Sequence, residues 1–111
     1  MNSMMKKKDW SSVPRSAMTA TEIVTALAKL ESWRLSGEGP TLAIEKSFVF
    51  SNYYQTMAFV NAVAFIAHLS DHHPDLTVSF NRCLVRFNTH DVGGISSTDF
   101  DCASAVDALL Q

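Results

Sequence analysis

The sequence predicts an α+β domain in which a four-stranded antiparallel sheet carries three helices packed on one face. Three observations lead there. Apolar positions switch between helical spacing and strict alternation in the order α-β-β-α-β-β-α. The strands come in two consecutive pairs, each with turn-forming residues between its members. The helices carry apolar stripes that need a surface to bury them, and one apolar sheet face supplies it.

Thr19 opens the first helix, and Glu22 three residues on gives the form of a capping box. Ile23, Ala26, Leu27 and Leu30 follow at helical spacing, so the helix is expected to end near Glu31. Trp33 and Leu35 alternate with polar neighbours as a short strand, and Gly37, Gly39 and Pro40 make the next turn. From Leu42 to Phe50 the period is two. Leu42, Ile44, Phe48 and Phe50 share one face, interrupted by Lys46, while Ala43, Glu45, Ser47 and Val49 share the other.

Ser51 or Asn52 caps the second helix, with Gln55 placed to complete a box behind Asn52. The helix runs to about Ser70, because Pro74 disfavours the helical conformation at His73. Leu76, Val78 and Phe80 alternate as a third strand, Asn81 and Arg82 turn, and Leu84–Thr89 forms a fourth with Val85 and Phe87 on one face. Asp91–Ser96, containing Gly93 and Gly94, is a loop. Ser97 or Thr98 starts the last helix, with Asp99 in its first turn where a negative charge suits the helix dipole. Phe100, Ala103, Val106 and Leu110 form its stripe.

The second helix has more apolar surface than a small domain needs. Tyr54, Ala58, Phe65 and Leu69 form one stripe, and Phe59, Val63 and Ile66 form another. A surface helix buries one stripe. The second predicts a homo-oligomer, dimer or tetramer, built through this helix.

At 111 residues the chain suits one domain. Residues 1–18 are expected to form a disordered N-terminal tail and residues 19–111 the folded domain. A sorting role for Lys6, Lys7 and Lys8 competes with the plainer reading of a solvated charge run. The net charge of -2 gives no electrostatic reason to expect direct contact with nucleic acid or anionic membrane. No apolar run is long enough to span a bilayer, and no secretory signal is recognisable. Cys83 and Cys102 read as buried thiols in a reducing compartment, so a cytoplasmic protein is expected.

All four histidines, His68, His72, His73 and His90, lie in one stretch, three of them at element ends. Such positions collect functional groups on a rigid frame, and imidazole is the side chain best suited to move protons near neutral pH. Three readings compete. The residues could be ordinary surface or capping histidines. They could bind metal, since His68 and His72 are spaced i, i+4 and His73 and His90 could add ligands; against this, no carboxylate–His or Cys–His motif accompanies them. The third reading is acid/base chemistry without metal or cofactor. No nucleophile elbow and no Gly-rich phosphate loop supports other chemistry.

The ordered set Asp71-His72-His73-Pro74, Phe80, Thr89-His90 and Asp99 resembles the signature of the pterin-4a-carbinolamine dehydratases. His68 fills the signature's first ionisable place, where Glu is common. Phe80 stands where many members have Tyr, and Asn88 replaces a small hydroxylated residue. Trp33 and the Phe48-Val49-Phe50 segment fall where the family has a Trp and an F-x-F strand. The resemblance covers roughly residues 20–110, and the independently read element order agrees with the family's fold.

The resemblance implies dehydration of 4a-hydroxytetrahydrobiopterin to quinonoid dihydrobiopterin, which recycles the pterin cofactor of aromatic amino acid hydroxylation. Its site is expected to comprise His72, His73 and His90. His72 and His90 would be the acid/base pair, and His73 would bind and orient the pterin. Asp71 would orient an imidazole or contact substrate. Backbone groups of Asn88, Thr89, His90 and Asp91 would meet the pyrimidine edge. Asp99 would hold the His90 loop or cap the last helix, and Trp33 would wall the pocket or be structural. No cofactor and no metal are implied. Some relatives also serve as dimerisation cofactors of a homeodomain transcription factor, a binding role that would extend the location to the nucleus.

Overall fold

The computed structural model describes residues 15–111. The expectations for Lys6–Lys8 and the rest of residues 1–14 lie outside the described residues. Arg15–Met18, assigned above to the tail, make contacts with the domain. The Met18 N–H donates to the Ile95 carbonyl at 2.8 Å, and its side chain packs on the core.

The observed order is α1 (Ala20–Leu27), β1 (Arg34–Ser36), β2 (Ala43–Val49), α2 (Tyr53–Ser70), β3 (Asp75–Ser79), β4 (Arg82–Phe87) and α3 (Ser97–Ala108). Short 3₁₀ turns at Gly39–Thr41 and His90–Val92 lie in the connections. The four strands are antiparallel in the order β1-β2-β4-β3. Fold class and element order are as the sequence predicts.

The Thr19–Glu22 capping box is present at α1. The helix ends earlier than expected, because Lys29 and Leu30 donate to carbonyls three residues back and Ser32 takes φ 67°. The tightened turn swings the chain into β1. At α2 the Asn52 side chain accepts from the Gln55 N–H, while Gln55 reaches back to Ser51. The hairpin turn falls on Phe80–Asn81, one residue before the expected place. Pairing of Ser79 with Arg82 keeps Arg82 in β4, and Phe80 is left exposed.

Register places Ile44 opposite Phe87 and Phe48 opposite Cys83, so these share one face with Val85. That face and the helices form one core: Ile23 of α1, Phe59 and Val63 of α2, and Phe100, Ala103 and Val106 of α3. Leu110, expected in the α3 stripe, is exposed because the helix has already ended at Ala108. Cys83 and Cys102 are free thiols inside this core, and burial pushes both up from their ordinary value.

The opposite sheet face is polar, with one surprise. Glu45 alternates outward as expected yet is buried. Arg34 on β1 and Arg86 on β4 sit opposite it in register and cover it, with Arg34 Nη2 2.7 Å from Glu45 Oε2.

Candidate functional site

The site begins where α2 ends. Asp71 adopts the left-handed conformation at φ 48°. The Asp71 N–H donates to the His68 carbonyl at 3.3 Å and the His72 N–H to the Ala67 carbonyl at 3.1 Å. This is the paired bonding of a Schellman end, with Asp in the place usually taken by Gly. The reversal turns His72 into the domain. His73 follows, held out of the helical region by Pro74, and is exposed.

His72 is buried at 6% exposure and lies flat on Phe87, with ring centroids 6.0 Å apart and planes 11° from parallel. Its Nε2 is 2.5 Å from Asp99 Oδ1, and its Nδ1 is 3.4 Å from an Arg15 Nη1. A guanidinium can only donate. The bonding pattern therefore makes Nδ1 the acceptor and puts the ring proton on Nε2, facing the carboxylate.

Asp99 is wholly buried. Its Oδ2 accepts from Thr89 Oγ1 at 2.7 Å and from the Ser96 N–H at 3.0 Å. Thr89 has a single hydroxyl proton and spends it on Asp99, so Ser96 Oγ donates across the 2.7 Å contact to Thr89 Oγ1. Ser96, rather than Ser97 or Thr98, is thus the cap of α3, in a capping box with Asp99. Asp99 completes that box as its third residue and also bonds Thr89, next to His90.

That segment leaves β4 through Asn88. The Asn88 side-chain amide points to the Leu42 carbonyl at 2.6 Å and the Gly94 carbonyl at 3.2 Å. Thr89 bridges to Gly94, and its own N–H is spent on the Gly94 carbonyl at 2.8 Å. His90 and Asp91 then form the exposed start of the 3₁₀ turn that ends at Gly93, which takes φ 64°.

The structure joins His72, Thr89 and Asp99 directly and leaves His73 and His90 exposed at the adjoining positions. His68 lies half-buried one turn before His72. Trp33 is buried; its Nε1 donates to Asp107 Oδ2 at 3.0 Å, and its ring packs beside Phe87. It therefore contacts the same phenyl ring on which His72 stacks. Among the described residues no group of three or more His, Cys, Asp or Glu is placed to hold a metal ion. A cleft of about 610 Å³ lined by Lys29, Lys46 and Asp107 includes none of the histidines.

Three contributors were missed in the sequence. Ser96 was legible as the start of a Ser-x-x-Asp box. Phe87 was recognised only as a core residue. Arg15 carried no signal, because it precedes every periodic element.

Among known families, the profile described as pterin 4 alpha carbinolamine dehydratase matches residues 16–109. The chain belongs to this family. A provisionally named pterin-4-alpha-carbinolamine dehydratase of Paracidovorax citrulli is 62% identical over 109 residues, covering 98% of this chain and 94% of that one. One of Bdellovibrio bacteriovorus is 56% identical over 97 residues, covering 84% and 78%. The solved structure of a transcriptional coactivator/pterin dehydratase from Brucella melitensis superposes with a TM-score of 0.80 at 28% identity, over 86% of this chain and all of that one. A pterin dehydratase-like protein described as a RuBisCO assembly factor of the alpha-carboxysome matches with a TM-score of 0.60 at 28% identity, over 71% and 89%. Membership makes the protein a hydro-lyase of the pterin-4-alpha-carbinolamine dehydratase type. Among the described residues no helix is long and apolar enough to cross a membrane.

Proposed function

We propose that this protein dehydrates 4a-hydroxytetrahydrobiopterin by metal-free histidine acid/base catalysis and so serves tetrahydrobiopterin recycling. One observation carries the reading. The His72–Asp99–Thr89 network fastens the Asp71–Pro74 turn to the Thr89–Asp91 segment and leaves His73 and His90 open to a ligand. Two chain segments distant in sequence are thus tied together, each with an exposed histidine next to the tie.

The chemistry needs two proton transfers. The C4a–O bond breaks as the hydroxyl is protonated and leaves as water. The N5 proton departs as the C4a–N5 double bond forms. Positioned acid/base groups of this kind contribute about 10²–10⁴-fold. The sequence suggested His72 and His90 as that pair and His73 as the binding residue. We assign the transfers instead to His73 and His90, because His72 is buried and both its ring nitrogens are engaged. His72 becomes the residue that positions them. Thr89, equally buried and engaged, also positions rather than binds. Recognition of the pyrimidine edge falls to backbone groups of Asn88, His90 and Asp91, with Asp71 at the opposite side.

The test is dehydration of a 4a-hydroxypterin by the His73→Ala and His90→Ala variants. Each is expected to lose about 10²-fold or more in kcat. Activity within a few-fold of wild type for both would refute the assignment. Abolition of wild-type activity by chelators would replace it with a metal reaction.

The outer face of α2 supports a homo-oligomer. Tyr54 is 83% exposed, Ala58 and Ala64 are exposed, and Phe65 and Leu69 are only half-buried. A second copy of the same helix is the simplest cover for such a face. Light scattering at micromolar concentration should report a dimer or tetramer. A monomer would sink this reading and leave the face open to a different protein, the role that the name of the Brucella neighbour suggests.

A further inference from the structure

We propose that Arg15, which precedes the first helix, is a positioning residue of the dehydratase site. This rests on the reading that the histidine junction is where dehydration occurs.

The guanidinium touches the junction at two places. One Nη lies 3.4 Å from His72 Nδ1, and the other donates to the Asp71 carbonyl at 3.2 Å. The planar fork of arginine can hold two acceptors at once, which the single ammonium of lysine does less well. Each contact has its own consequence. Donation to Nδ1 complements the tautomer that Asp99 requires and holds the ring from its second nitrogen. Donation to Asp71 O braces the left-handed residue at which α2 reverses.

Without Arg15 the ring is held by Asp99 alone, through one nitrogen. It is then free to tilt about that bond, and its backbone neighbour is His73. Arg15 therefore governs the direction in which His73 leaves the turn, although it need not touch the pterin. The segment is well placed to do this. Three residues on, Met18 is tied to Ile95, and Thr19 is fixed by its capping box. The Met18–Ile95 tie also lands beside Ser96, the cap whose N–H bonds Asp99. Arg15 and the Asp99 hub thus grip His72 from opposite ring nitrogens, within one connected frame.

The experiment uses the full chain with Arg15→Ala, Arg15→Gln and Arg15→Lys. Long-range proton–nitrogen correlation spectra read the His72 tautomer, assigned by its loss in His72→Asn. Steady-state dehydration of a 4a-hydroxytetrahydropterin reads kcat and KM separately. In wild type His72 should show the Nε2–H pattern. In Arg15→Ala the Nδ1 signal should shift as its donor is lost while Nε2–H stays on Asp99, and kcat should fall about tenfold with KM changed less than about twofold, as expected for a misaligned group. Arg15→Lys should lie between. If Arg15→Ala folds poorly, Arg15→Gln and Arg15→Lys carry the same comparison.

An unchanged His72 pattern in the variants would overturn the proposal, whatever the activity. So would a kcat within twofold of wild type in both Arg15→Ala and Arg15→Gln. A change in the His72 signals in a protein whose wild type has no dehydratase activity would instead refute the catalytic reading on which the proposal rests.

Discussion

Two buried carboxylates knit this domain together, and they are partnered in opposite ways. Glu45 lies on the polar face of the sheet between Arg34 and Arg86, so full positive charges meet it. It joins strands that already share hydrogen-bonded ladders. Asp99 lies at the start of α3 and is met by a histidine, a threonine hydroxyl and a backbone N–H. It joins the end of α2, the exit of β4 and the start of α3, segments that no ladder holds in register. Glu45 reinforces a sheet that would exist without it. Asp99 bonds all three at once, and it is the group that brings His72 to the Thr89–Ser96 pair.

The sharpest way to break that contrast is to remove Asp99. In Asp99→Ala the His72 Nε2, the Thr89 hydroxyl and the Ser96 N–H all lose their acceptor in a dry interior. Each buried donor left unsatisfied in this way costs about 1–3 kcal/mol. The effect on activity should exceed what instability explains, because His73 and His90 would no longer be held together. Dehydration measured on the folded fraction should fall at least about 10²-fold. A variant that unfolds early in urea yet keeps near-normal kcat while folded would show that Asp99 is a staple like Glu45 and nothing more.

The two hubs also differ in how far they were readable in the sequence. Helical spacing, strand alternation and the Thr19 and Asn52 caps were local signals, and they placed the three α-helices and four strands in order. The histidine junction was legible as a motif. Its internal division was not, because burial separates His72 from His73, and burial is set by where Asp71 reverses the chain. An αL aspartate looks like any other helix-end residue in the sequence. Arg15 was hidden for a related reason: its partners lie 57 and 56 residues away, and nothing periodic surrounds it. Glu45 was placed on the correct face but its burial was not readable, since cross-strand register, invisible before pairing is known, brings two arginines over it.

The smaller effect belongs to Glu45, and its pH dependence tests the other half of the comparison. Its carboxyl is held below the ordinary value of 4.5, chiefly by the Arg34 hydrogen bonds, with the charges of Arg34 and Arg86 adding to them against the opposing effect of burial. The folded state therefore binds this proton less readily than the unfolded state. The resulting stability is fully present above the unfolded value of 4.5 and is lost as pH falls through the lower folded value. Arg34 is largely exposed, so solvent screening keeps the contribution to about 1 kcal/mol near neutral pH. Glu45→Gln should lower the unfolding free energy from urea titration by that amount at neutral pH while leaving dehydration within about twofold of wild type. The gap between the two proteins should then narrow as the pH drops below the carboxylate range, because the wild type loses what the variant never had. A gap that stayed constant with pH would mean that Glu45 acts through packing rather than charge. A matching loss of dehydratase activity would mean that the sheet face and the histidine junction are coupled, and the distinction between staple and site would have to be given up.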